Sequence, residues 1–220
     1  MVPGDFYDQQ GNHLGTDGVD DKKKYVVTNK DQAKAVERTN KAGGTTQVKD
    51  VNSAVELPSD AVLKESLSVI KRTEDNGGLK EESSIVTKTG FVQNGPEGPL
   101  PTIEGGVSTA PDKLPELLPG TTTNDVEASI HSHPIKVQVD GDKVYGQSAD
   151  LPSGEGGDKT TFKQYNRNII VGPLGQLSSV TKNADGTLNI LNRPIGIAIY
   201  DRNTNPIIDL TKKAVEKIVR

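Results

Sequence analysis

Glu127-Ala128-Ser129-Ile130-His131-Ser132-His133-Pro134 decides how this chain is read. A short, partly apolar run leads into two histidines one residue apart, and a proline closes it. On a β-strand, side chains at i and i+2 point to the same face. His131 and His133 then face one ion together, and imidazole is a good ligand for zinc. Pro134 has no N–H to give to a sheet, so the strand is expected to end there. The plainer alternative is a pair of neighbours on an exposed strand that holds no metal.

Downstream come Gly141-Asp142, Ser148-Ala149-Asp150 and Pro152-Ser153-Gly154-Glu155-Gly156-Gly157-Asp158. They bring carboxylates and hydroxyls close to the pair. Residues 160–165 read as a short helix, and a helix N-terminus favours and orients a carboxylate. That favours Asp158 over Asp150 as a third ligand; a plain helix cap is the other role open to Asp158. Residues 168–173 read as a buried strand. Residues 177–180 and 188–191 read as a hairpin across Asn183-Ala184-Asp185-Gly186. Residues 195–200 read as the last core strand, and 211–220 as an amphipathic helix.

Upstream, Ser59 is a reasonable cap for a helix running to about Arg72. Residues 79–92 read as strand, turn, strand. The Pro-, Gly- and Thr-rich stretch 94–124 fits no regular element, and a loop that long is usually functional or disordered. Residues 5–28 read as a hairpin unit and 29–56 as a connection with a short helix. The expected division is therefore 1–56, an N-terminal hairpin and linker region, and 57–220, the main domain. Helices before and after a mixed, mostly antiparallel sheet give an α/β (α+β) class.

Composition bounds the rest. Hydrophobic residues make up 32% and aromatics 4%, with 23 Gly and 13 Pro, so a modest core with long connections is expected. The 26 basic and 30 acidic residues are well mixed and leave a net charge of -4, which gives no basic patch for nucleic acid. With no cysteine, disulfides and thiolate ligands are excluded. No apolar run reaches membrane-spanning length, so no membrane insertion is expected. Met1-Val2-Pro3-Gly4-Asp5 does not read as a signal peptide. Export would need another system or a larger parent chain.

His131-Ser132-His133-Pro134, followed by Ser153 and Asp158, resembles the signature of the JAMM (JAB/MPN) zinc metallopeptidases: a distant Glu, then H-x-H-P, then S-x-x-D. Asn168–Gly175 (NIIVGPLG) and the opening DFYDQQGNHLGTDG look more like one branch, the JAB-like toxin domains of bacterial polymorphic and RHS-type proteins. The likeness covers about residues 57–200. Here four residues, not two, separate Ser153 from Asp158, which keeps Asp150 as an alternate ligand. The resemblance implies a JAB/MPN core, which is cytidine-deaminase-like, and Zn²⁺ on His131, His133 and Asp158. It implies a general base at Glu74, in an E-x-x-G context after the first helix, with Glu82 the main rival and Glu81 behind it. It implies an oxyanion donor at Ser153, with Ser148 the alternate.

The expected activity is zinc-dependent hydrolysis of a peptide or isopeptide bond. The partners would be a protein or peptide substrate and an immunity protein. Another reading keeps the fold without the activity, as a binding or structural module of an RHS-type secreted protein. A deaminase would normally add a cysteine pair, and a nuclease would be helped by a basic face.

Overall fold

A computed structural model describes residues 4–111, 113–177 and 181–220. The chain opens with β1 (Asp5–Tyr7), β2 (His13–Thr16) and β3 (Lys24–Val27), then α1 (Lys30–Lys41) and β4 (Ala54–Glu56). β1 pairs antiparallel with β2 and parallel with β3, and the sheet runs β2-β1-β3-β4. The expected hairpin unit 5–28 thus supplies three strands of a four-stranded sheet. Asn29 starts α1 by accepting from the N–H groups of Asp31 and Gln32 at 3.0 and 3.1 Å. Phe6, Leu14, Tyr25, Val27, Ala33, Val36 and Val51 form a core under this helix.

α2 (Asp60–Asp75) follows, capped by Ser59 and one turn longer than the apolar spacing suggested. Then come β5 (Ser83–Thr87), β6 (Val92–Asn94), the hairpin β7 (Thr102–Glu104) and β8 (Val107–Thr109), and β9 (Val126–Ser132). A second hairpin, β10 (Gln138–Asp140) and β11 (Lys143–Tyr145), precedes α3 (Asp158–Phe162) and β12 (Arg167–Pro173). A short ribbon of β13 (Thr181–Lys182) and β14 (Leu188–Asn189) leads to β15 (Ile195–Asp201), β16 (Pro206–Thr211) and α4 (Lys212–Ile218). Residues 178–180, the end of the expected strand 177–180, lie outside the described residues.

The main sheet runs β16-β15-β12-β9-β5-β6 and is antiparallel except between β9 and β12. The whole is a mixed α/β protein with mostly antiparallel sheets. β16 lies beyond the strand expected to be last. It starts at Pro206, as an edge strand can, because that residue owes no N–H to a neighbour.

The sheet has two different faces. Ile130, Ala128, Val86, Ile169 and Val171 point to α2 and α4 and build the largest core cluster with Val62, Leu63, Ile70, Val215 and Ile218. Ile170 and Ala198 point the other way, onto Phe162 of α3, Ala149 and Tyr200. Tyr7 and Val26 of the N-terminal sheet also join the largest cluster, and Lys24 Nζ donates to the Ile218 carbonyl at 2.7 Å. The N-terminal unit is seated on the main one by apolar packing and by polar contacts.

Candidate metal centre

β9 carries the first histidine between two partners. His131 pairs with Ser83 of β5 on one side and with Ile170 of β12 on the other. Ile130 points into the α2 core, so alternation turns His131 and His133 to the α3 face. Both are buried at 2% exposure. The His133 N–H donates to the Val171 carbonyl at 2.8 Å, continuing the pairing one step past the strand. Gly172, with φ of 153°, makes this approach possible: a Cβ there would come within 3.2 Å of the His133 carbonyl oxygen.

α3 delivers the carboxylate. Asp158 is its first residue, and it is clasped from before the helix. The Asp158 N–H donates to Ser153 Oγ, and the Ser153 N–H donates to Asp158 Oδ2, both at 2.7 Å. This is the reciprocal logic of a capping box spread over a five-residue step. It absorbs the unusual Ser–Asp spacing. Asp158 Oδ1 then lies 3.0 Å from His131 Nε2, and Oδ2 lies 3.2 Å from His133 Nε2. The three ligand atoms all fall within 4.8 Å of one another, and this group can hold a metal ion.

Protonation sharpens the point. His133 Nδ1 sits 2.9 Å from the Ser148 carbonyl oxygen. A carbonyl only accepts, so Nδ1 carries the hydrogen. In a neutral ring Nε2 then carries the lone pair that faces the carboxylate oxygen, and in a protonated ring Nε2 donates to it. The neutral arrangement sets two acceptors against each other, which a metal ion or a proton between them satisfies. Burial pushes the Asp158 carboxyl up, but the charge and hydrogen bonds of the two imidazoles reverse this and hold it well below the usual carboxylate range.

Two imidazoles and one carboxylate make a donor set that can hold a metal ion.

The other expected site residues fall into distinct places. Asp150 is not in the group; its carboxylate accepts from the Gly175 N–H at 3.1 and 3.2 Å. Ser148 is buried, and both sides of its hydroxyl are used: Oγ donates to the Gly175 carbonyl and accepts from Arg193 Nη1 at 2.6 Å. Glu74 is exposed at the end of α2 and paired with Lys212 at 2.9 Å. Glu82 is buried, but it faces α2, where it accepts from Arg72 Nε at 3.3 Å and Asn76 Nδ2 at 2.9 Å.

Glu81 is the residue that sequence reading ranked last. Glu82 and Ser132 exchange two hydrogen bonds at 2.8 Å, from Ser132 N to the Glu82 carbonyl and from Glu82 N to Ser132 Oγ. The ladder therefore continues one step past Ser83–His131. Strand alternation carried two residues past Ser83 would set Glu81 on the face of Ser83, His131 and His133. Glu81 is buried at 3% exposure. The signal was the parity of Glu81 relative to the buried Ile85, which shares its face.

Comparison of the chain with protein-family models, curated proteins and solved structures finds no match in any of the three.

Proposed function

We propose that this chain is a zinc-dependent hydrolase of a peptide or isopeptide bond, built on a JAB/MPN-like core. The observation that supports it best is the confrontation of His133 Nε2 with the Asp158 carboxylate, 3.2 Å apart and buried. His131, His133 and Asp158 hold the ion. When bound, zinc polarises a carbonyl and lowers the pKa of water to about 7.

Glu81 is the general base in this reading. It takes the proton that the attacking water gives up and passes it to the leaving nitrogen. Its burial keeps it dry, and alternation carried past Ser83 would turn it to the histidine face. Ser153 Oγ accepts from the Asp158 N–H and donates to none of the described residues, so its own hydrogen is free to support the oxyanion. Ser148 is already used on both sides. Glu74 and Glu82 serve ion pairs elsewhere.

On the same reading the chain works as a toxin module of a larger exported bacterial polypeptide, and an immunity protein is its natural partner. None of the described helices is long and apolar enough to cross a membrane.

The test is metal content by elemental mass spectrometry, followed by peptide and isopeptide cleavage. The wild type should hold about one zinc per chain, as one three-ligand site takes. His131→Ala/His133→Ala should hold none. Glu81→Gln should keep zinc and lose cleavage. A wild type that takes up no zinc after reconstitution at neutral pH overturns the reading.

A further inference from the structure

The surface is hollowed at Pro134, the residue after His133, although none of the three candidate ligands lines the hollow. A cleft of about 310 Å³ is lined by Pro134, Lys136, Tyr145, Gln147 and Leu177. A second hollow shares Lys136 and Leu177 with it and reaches Arg193. Neither is lined by an Asp or Glu. In a chain with 30 acidic residues and a net charge of -4, this is a local reversal of sign.

Arg193 is the notable group. It is half-buried, and burial pulls its guanidinium below the ordinary value while the charge of Asp150 opposes this. It forms no ion pair with any described carboxylate; Asp150 spends its oxygens on the Gly175 N–H. Nη1 donates to Ser148 Oγ at 2.6 Å and to the Gly175 carbonyl at 3.1 Å. These bonds fix the fork and leave Nη2 and Nε without a described acceptor. Lys136, exposed at the shared wall, has no ion pair among the described residues either. Two polar atoms in the first cleft, Tyr145 Oη and Gln147 Oε1, are buried without a hydrogen-bond partner. Buried polar atoms are nearly always satisfied, so an orphan of this kind points to water or a ligand.

The connection to the chemistry is short. The residue whose hydroxyl fixes Arg193 is the one whose carbonyl orients His133. An anchored, half-buried guanidinium with a free edge suits a carboxylate, which it binds through two parallel hydrogen bonds.

We propose that Arg193, aided by Lys136, recognises a carboxylate on the substrate next to the scissile bond. The enzyme thus selects peptides that carry an acidic side chain or a free C-terminus at that place. This deepens the hydrolase reading and rests on it for the word substrate, but the recognition can be measured without turnover.

The experiment uses the zinc-loaded full chain and three matched peptide sets: acidic side chains with amidated ends, no acidic side chains with free C-termini, and neither. Binding is read by calorimetry and cleavage by mass spectrometry. The third set should be bound at least about tenfold more weakly than one of the others, as loss of a charge-assisted pair implies. Which of the first two sets wins identifies the source of the carboxylate.

In Arg193→Met that ratio should fall towards unity, and Arg193→Lys should restore part of it. Lys136→Met, which leaves the Ser148 contact intact, should narrow the ratio less and guards against a folding defect. Equal binding of all three sets overturns the proposal, as does a preference that survives in both Met variants. Arg193-dependent binding of acidic peptides without any cleavage supports the recognition and counts against the hydrolase alone.

Discussion

His133 Nδ1 lies 2.9 Å from the Ser148 carbonyl oxygen, and this contact decides which nitrogen of the ring faces the metal position. The carbonyl is held in turn by its neighbours. Ala149 N–H donates to the Pro173 carbonyl at 2.8 Å, and Tyr200 Oη donates to the Ala149 carbonyl at 2.9 Å. A tyrosine on β15 thereby supports a ligand on the other side of β12. Such outer contacts orient a ligand before the ion arrives.

Tyr200→Phe removes that hydroxyl and keeps the ring against Phe162, 5.4 Å away between centroids. Metal affinity should fall by about three- to tenfold, the value of one ordinary hydrogen bond. Competition with a chromogenic chelator measures it. Unchanged affinity would show that Ser148 is placed by the backbone alone.

Glu81 and Glu82 should separate cleanly. Glu82 is committed to Arg72, which also donates to Glu65 at 2.9 Å and to Ser84 Oγ at 2.8 Å. Glu82→Ala takes one of two carboxylates from the half-buried Arg72 guanidinium and should cost about 1–2 kcal/mol, seen as a lower midpoint in urea. Zinc content and cleavage per folded molecule should survive. Glu81→Gln should behave in the opposite way, keeping stability and zinc while losing cleavage. The reverse pattern would point to Glu82 as the base.

These two residues also show where sequence reading stops. The histidine pair was legible because strand alternation is local, and Asp158 because a helix start has its own chemistry. The choice between Glu81 and Glu82 depends on which face of β5 meets α3, and that is fixed by register with β9 some 50 residues away. Glu74 fitted a spacing pattern, yet the helix carries on past Arg72 and turns it outward to Lys212. The β7–β8 hairpin left its mark in Gly105-Gly106, whose φ angles of 57° and 79° suit a tight turn. The surrounding prolines hid it. β16 was missed because Pro206 and Asp209 break up its apolar run, as an edge strand permits.

Asn168 is a buried clamp for the ligand helix. Its Oδ1 accepts from Ser129 Oγ at 2.6 Å on the histidine strand. Its Nδ2 donates to the carbonyls of Phe162 and Tyr165 at 3.2 and 3.1 Å, at the end of α3 and just beyond it. Asn168→Ala strands these groups without water and should cost about 2–4 kcal/mol. Calorimetry reads the loss. Because α3 carries Asp158, the variant should also bind metal more weakly than its stability alone explains when measured well below its melting temperature.

Metal removal and acid should act on the site in a fixed order. The ion binds the folded group and not the open chain, so chelation should lower the melting temperature, and returning zinc should restore it. Protons compete with the metal for its ligands, so zinc should leave in the first acid transition. Asp158 responds later. Its folded pKa is held below the ordinary value, so the stability it contributes is present above the unfolded value of about 3.9 and is lost as the pH falls below that. A titration followed by metal release and by unfolding should therefore show two separate acid transitions. In Asp158→Asn the affinity for zinc should fall throughout and the second transition should disappear. A single transition shared by both signals would mean that the carboxylate holds the helix only through the ion.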